Sequence, residues 1–352
     1  MAGVGNCCSA LVQGVQYWKN NGKSLTVLDK LRSEPPFDRE IEFVAAFDID
    51  KRKVGKPLNQ AIFAEPNNFG RIYAVDNASV TVLKGPTLDG AAGSLKDLIK
   101  VSKTPDAEVV DALKRARADI LVNMLPTLAN RASKHYAMAA LKARCGFINA
   151  TPASIACDAH FARQFKKQGV PLVGDDVMSQ IGGTIFHRNI LEFLTTRGVK
   201  VANTYQLDVG GGMETYNTLQ LQSRSLKREI KTSTIKSALD YDANIVAGTT
   251  DYVDFLKNSR TSYYWIAGNY FMNTPVEIDI YLKTVDAPNG AAIILDVIRA
   301  VKSAKERGIG GVLHSVCNYG FKMAPLNGGR RRPSTEEARR LFLDFMSAKR
   351  DN

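Results

Sequence analysis

Along the first half of the chain, apolar runs of strand length alternate with segments of helical period, the pattern of a parallel sheet with crossover helices. Residues 42–48 read as a buried strand that ends on an acid, Asp48. Residues 106–118 predict a helix with Val109, Val110 and Leu113 on one face, and residues 120–124 a strand that stops at Pro126. Short strands follow at 146–149 and 171–174. The pattern then changes. A longer strand is expected over 199–209, and after a polar, Lys-rich stretch residues 276–283 alternate strictly, as in a half-buried antiparallel strand of a second sheet. From Ala291 onward, Ile294, Val297, Ile298 and Val301 return to helical spacing. Ser334, Thr335, Glu336 and Glu337 form a capping box that opens a last amphipathic helix carrying Leu341, Phe342 and Phe345.

These elements predict an α/β protein with a Rossmann-like, doubly wound parallel sheet. The 352 residues suit two domains. Residues 1–190 and 300–352 together are expected to form the first, which is therefore discontinuous. Residues 191–299 are expected to form an inserted α+β domain for catalysis and oligomerisation.

Composition narrows the function classes. At 45% hydrophobic and 23% charged the chain is ordinary globular material. No apolar run approaches the roughly 18–20 residues of a membrane crossing. The first residues run straight into a Gly-x-Gly turn with no leader pattern, so a cytoplasmic protein with no membrane partner is expected. Cys7, Cys8, Cys145, Cys157 and Cys317 are scattered, which argues for reduced thiols rather than a disulfide framework. The four histidines are equally dispersed, and no metal site is assigned. A net charge of +12 raises the question of nucleic acid. Its densest clusters (Lys51 to Lys53, Arg330 to Arg332, Arg339 and Arg340) carry no interleaved stacking aromatics, so no nucleic-acid partner is expected. Phosphorylated small molecules exploit the same positive field.

One motif carries chemistry directly. Gly3, Val4, Gly5, Asn6, Cys7 and Cys8 open a helix whose apolar face includes Leu11, Val12 and Val15. A Gly-x-Gly turn lets backbone amides approach a pyrophosphate, and the helix N-terminus favours its negative charge. Asp48, at the end of the next strand, is placed to accept from an adenosine ribose hydroxyl, which favours NAD over NADP. The gap of about 43 residues exceeds the usual ~20, so a long first helix and an inserted loop must lie between. A glycine turn with an unrelated exposed aspartate is the plainer alternative. Only Met1 and Ala2 precede the loop, where a buried strand belongs. The central strand is therefore expected to be missing, through an upstream start, a truncation or some other filling of its place. On that expectation, about six apolar residues added upstream would stabilise the chain.

Further motifs occur in order: 44–48, Gly85-Pro86-Thr87-Leu88-Asp89-Gly90, Gly174-Asp175-Asp176, Gly210-Gly211, Asp286-Ala287-Pro288-Asn289 and Arg307-Gly308-Ile309-Gly310-Gly311. With the glycine loop, they resemble the bacterial and archaeal type of myo-inositol-1-phosphate synthase over nearly the whole chain. The resemblance implies an NAD-dependent intramolecular cyclase, usually tetrameric, with a sugar-phosphate substrate. In that reaction C5 of glucose 6-phosphate is oxidised with NAD+, C6 enolises and attacks the C1 aldehyde, and the hydride is returned.

The resemblance also implies site residues. Lys227, Lys231 and Lys322 fall where the family's active-site lysines lie, and Asp286 matches an acid that orients one of them. Ala116, Tyr136, Ser179, Glu214 and Lys227 would join Gly3, Gly5, Asn6, Cys7 and Asp48 around the dinucleotide, with Asn149 at the sugar end. Taken alone, Lys227 and Lys231 would be a solvated i, i+4 pair. Asp175 and Asp176 read either as cation ligands or, preferably, as a strand end that caps the next helix. Two places depart from the family pattern. Met178 stands where the family has a lysine, and a thioether carries neither charge nor proton. Leu128 and Ala129 stand where it has Gly-Ser. Three readings follow: an inositol-phosphate synthase in which Lys231 or Lys236 covers the lost lysine, a cyclase for another sugar phosphate such as a ketose phosphate, or an NAD-binding protein without catalysis.

Overall fold

The computed structural model describes residues 1–22, 26–28, 41–76, 78–325 and 331–348. Much of the loop expected ahead of Asp48, and Arg330, lie outside the described residues. In chain order come α1 (Asn6–Asn21), β1 (Ala46–Asp48), the single turn α2 (Leu58–Ala61), β2 (Val82–Lys84), α3 (Val109–Arg115) and β3 (Ile120–Asn123). Then follow α4 (Asn130–Lys142), β4 (Gly146–Asn149), α5 (Ala159–Lys167), β5 (Pro171–Val173) and α6 (Gly183–Thr196).

Three residues stand in for the expected missing strand. Ala2 N–H donates to Val122 O and Ala2 O accepts from Met124 N–H, both at 2.8 Å. On the other side Phe47 N–H donates to Met1 O and Gly3 N–H to Phe47 O, both at 2.9 Å. Ala2 thus bridges in parallel to β1 and to β3. Residues 1–3 occupy the place between β1 and β3 where the central strand was expected. The sheet reads β2, β1, residues 1–3, β3, β4, β5 and, from near the C-terminus, β10 (Gly311–Val312), with every pairing parallel. The strand order reverses beside residues 1–3, and a doubly wound sheet takes its ligand at such a switch point.

Helices cover both faces. Leu113 of α3, Tyr136 and Leu141 of α4 and Phe161 and Phe165 of α5 share one core. Leu11 and Val15 of α1 share the other with Ile294, Val297 and Val301 of α9 (Asp286–Glu306). Val316 of α10 (His314–Gly320) and Phe342 of α11 (Thr335–Ser347) complete it. The capping box holds as expected: Ser334 Oγ accepts the Glu337 N–H at 3.2 Å.

Between α6 and α9 the chain builds a second sheet from β6 (Lys200–Gly210), β7 (Asn244–Tyr252), β8 (Ser259–Tyr270) and β9 (Thr274–Val285). The order is β7-β6-β8-β9, with β6 and β7 parallel and the other pairs antiparallel. Helices α7 (Met213–Asn217) and α8 (Leu221–Lys236) occupy the Lys-rich stretch between β6 and β7. Leu191, Val201, Ile235, Ala247 and Ile266 form this layer's core. β6 alternates against the usual sense, burying Thr204, Gln206 and Asp208 and leaving Tyr205, Leu207 and Val209 on the outer face.

Candidate active site

A cleft runs from the glycine loop at the switch point to the turn after β6, the middle of α8 and the start of α9. The loop end is set by backbone geometry. Gly3 has φ 89°, and a Cβ there would come within 2.8 Å of Met124 O, so only glycine fits between the two strands. Gly5 caps α1 without a side-chain bond, and the first helical turn holds no acid. An anion therefore meets the helix N-terminus with no internal competitor. Asn6 Oδ1 accepts from the N–H groups of Asn68 and Phe69 at 2.8 and 2.9 Å, tying the loop to residues 66–70. Cys7 lines the cleft with its thiol pushed up to about 12 by burial and by neighbouring Cys8, so it stays neutral.

Asp48 Oδ2 accepts the Val4 N–H at 2.8 Å, and its Oδ1 accepts from Ile49 and Asp50 at 2.7 and 2.9 Å. Tyr136 walls the cleft from α4. Its hydroxyl leaves no room for a Cβ at Gly85, which explains the glycine in that motif. Ser179 and Glu214 also line the cleft.

At the far end the lysines are not solvated. Lys227 Nζ lies 3.2 Å from Asp176 Oδ1 and 3.0 Å from Glu214 Oε1. Thr127 Oγ1 donates to the same Glu214. Lys322 Nζ donates to Asp176 Oδ1 at 3.1 Å and to Val177 O at 2.8 Å. Lys231 Nζ donates at 2.5 Å to Asp208 Oδ2, and Asp208 is buried beneath Ser262 Oγ (2.6 Å) and Gln206 Nε2 (2.9 Å). Arg260 Nη2 pairs with Asp286 Oδ2 at 2.7 Å, its Nη1 lying 4.0 Å from Asp208.

The two lysines on Asp176 are pushed in opposite directions. Burial lowers both, but Asp176 and Glu214 outweigh it at Lys227, which is held above the ordinary lysine range. At Lys322 burial prevails, aided by the charges of Lys227 and Lys231 and opposed by Asp176, and its ammonium is pulled down to about 8. Asp176 itself stays ionised because the two lysines outweigh its own burial. Its Oδ2 is buried with no partner among the described residues.

Several expected placements need correction. Asp286 orients Arg260; the acids that hold the lysines are Asp176, Glu214 and Asp208. Asn149 does not face the cleft. Its Oδ1 accepts from Asn123 (2.8 Å) and Thr151 (3.1 Å), and its Nδ2 donates to Asp175 (2.7 Å) and Ala153 O (2.6 Å), so it props the floor below residues 150–152. Ala116 ends α3, bonded back to Ala112 O and packed on the α3–α5 core, away from the cleft. Asp175 and Asp176 do not cap α6, which opens on Gly182 with no side-chain bond. Asp175 accepts instead from the N–H groups of Ile155, Ala156 and Cys157 at 3.0–3.1 Å. No metal-binding group of three or more His, Cys, Asp or Glu occurs among the described residues. Lys236 pairs with Asp242 at the exposed end of α8 and does not reach the site.

Arg260, Asp208 and Thr127 line or support the cleft and were not read as site residues in the sequence, and Lys53, which also lines it, was read only as part of a charge cluster. The available signal for Asp208 was an acid on the Gln206 face of a strand whose apolar residues fall on the other face.

A model of the family described as myo-inositol-1-phosphate synthase matches residues 182–287. The chain is 41% identical over 334 residues to the inositol-3-phosphate synthase of Mycolicibacterium smegmatis, covering 92% of each chain. Among solved structures it is similar to Ari2, with 31% identity, a TM-score of 0.77 and coverage of 99% and 98%. It also shares the fold of a myo-inositol-1-phosphate synthase-related protein from Thermotoga maritima, with 22% identity, a TM-score of 0.83 and coverage of 100% and 98%. With a Rossmann-like sheet, a glycine loop at its switch point and a lysine cluster facing that loop, the chain belongs to the myo-inositol-1-phosphate synthase family.

Proposed function

We propose that the chain converts D-glucose 6-phosphate into 1D-myo-inositol 3-phosphate by internal oxidation, aldol cyclisation and reduction, with NAD as cofactor. The observation that carries this reading is the convergence of Lys227, Lys231, Arg260 and Lys322, each against an acid, on the cleft that the glycine loop opens. The name of the Mycolicibacterium smegmatis relative supports it.

The loop end fits NAD. A Cβ on Gly5 would meet nothing within 4 Å, so the open N-terminus of α1 fronts free space, as a pyrophosphate requires. Gly3, Gly5, Asn6 and Cys7 would hold that group, Asp48 the adenosine ribose, and Tyr136, Ser179, Glu214 and Lys227 the nicotinamide half. When bound, NAD supplies the acceptor and the donor of the hydride.

The chain's own residues divide the remaining work. Lys227, kept charged by Asp176 and Glu214, stabilises an oxyanion developing on the sugar. Lys322, with its ammonium near 8, passes between charged and neutral forms close to neutral pH and can take and return a proton. Asp176, ionised between the two lysines, fixes both of them at the cleft wall. Arg260 and Lys231, immobilised by Asp286 and Asp208, present fixed positive charge for the phosphate.

Met178 favours a second reading, a cyclase for another sugar phosphate such as a ketose phosphate. It is 3% exposed, and its neighbours Val177 and Ser179 face the cleft while it does not. We also place the protein in the cytoplasm as a homotetramer. Among the described residues no helix is long and apolar enough to cross a membrane.

The test is incubation of the protein and NAD+ with a panel of hexose phosphates, following transient reduced nicotinamide and the product by NMR. Glucose 6-phosphate is expected to give an inositol phosphate. Turnover of a ketose phosphate alone would establish the second reading, and no turnover of any hexose phosphate would leave a non-catalytic NAD-binding protein.

A further inference from the structure

The Val4 peptide, in the middle of the glycine loop, is gripped by three side chains. Its N–H donates to Asp48 Oδ2 at 2.8 Å. Its carbonyl accepts from Lys53 Nζ at 2.8 Å and from Asn67 Nδ2 at 3.0 Å. Lys53 Nζ also donates to Asn67 Oδ1 at 2.9 Å and lies 3.8 Å from Asp48 Oδ2. Lys53 is only 3% exposed.

Asn67 already supplies the Val4 carbonyl with a donor, so a buried ammonium on the same oxygen is more than that hydrogen bond requires. Burying an ammonium is costly unless its charge is used. Two uses are open to it here. A cation on a carbonyl polarises the peptide, so the N–H of the following residue, Gly5, becomes a stronger donor toward an anion in front of the loop. The same charge offsets the Asp48 carboxylate, which would otherwise repel a pyrophosphate.

We propose that Lys53 is a positioning residue for the dinucleotide, acting from behind the loop: through the Val4–Gly5 peptide and against Asp48, its charge sets the affinity for the pyrophosphate. This rests on the NAD reading.

The test compares two ligands that differ in that group, ADP-ribose by titration calorimetry and adenosine by NMR titration. In Lys53→Met the Kd for ADP-ribose is expected to rise about ten- to hundredfold, and that for adenosine less than about threefold. Lys53→Gln keeps a donor without the charge and is expected to lose as much as Lys53→Met; it also carries the test if Lys53→Met does not fold. Wild-type ADP-ribose affinity in Lys53→Gln would overturn the proposal, since a hydrogen bond alone would suffice. Equal weakening of both ligands would overturn it too, by making Lys53 a strut for Asp48. A folded wild-type protein that binds no ADP-ribose would refute the NAD reading itself, and the proposal with it.

Discussion

Asp176 is the residue on which the site turns, because one carboxylate oxygen serves both Lys227 and Lys322. Its charge raises the Lys322 ammonium against burial. A base must be neutral to accept a proton, so activity is expected to rise with pH through about 8 and to fall away below it. In Asp176→Asn that limb should move to lower pH and kcat/KM should drop about hundredfold. A pH–rate profile checks both, and an unmoved limb would remove Lys322 from the proton-transfer role. Leu128 poses a separate question. Where the family pattern has glycine, this residue keeps φ 78°, in the left-handed region. Leu128→Gly is expected to stabilise the chain by up to about 1 kcal/mol in urea unfolding; a loss of that size would show that the leucine side chain outweighs the strain. Lys227, Lys231 and Lys322 were placed by the family resemblance, since the spacing of the first two alone reads as a solvated pair; the structure puts all three on the cleft. That they pair with Asp176 and Asp208 was not legible in the sequence, because which segments face α8 is a tertiary fact.

At the scale of elements, the strand periods were well marked where both faces are buried. β4 spans 146–149 as expected, and β5 and β3 each end one residue early. The first strand was the hard case. Residues 1–3 supply only enough backbone to bridge β1 and β3, and so short a segment carries no readable period. β1 itself keeps three of the seven residues expected, 46–48. β8 gave little signal because its inner row mixes Ser262, Tyr264 and Gly268 with Ile266. Polar residues on an inner face serve a site: Asp208 and Ser262 bond each other there, and Asp208 bonds Lys231.

For the whole molecule, the outer face of the second sheet is the unusual surface. Tyr205 stacks on Trp265 at 5.5 Å and lies 6.0 Å from Tyr263, with Leu207 40% and Tyr281 62% exposed on the same sheet. An aromatic face of this kind is normally covered, and among the described residues the twelve-residue β9 is an edge strand of the sheet. Both features favour a symmetric assembly of identical chains. Trp265→Lys is expected to reduce the mass seen by light scattering from that of the proposed tetramer to a smaller species while circular dichroism is kept. An unchanged mass would place the interface elsewhere.

The reaction itself is tested most directly by one measurement: carbon NMR of the product formed from carbon-13-labelled glucose 6-phosphate with the protein and catalytic NAD+. The account predicts that the label appears in the ring of a myo-inositol phosphate, with no net consumption of NAD+. Recovery of unchanged glucose 6-phosphate from folded, NAD-saturated protein would contradict it.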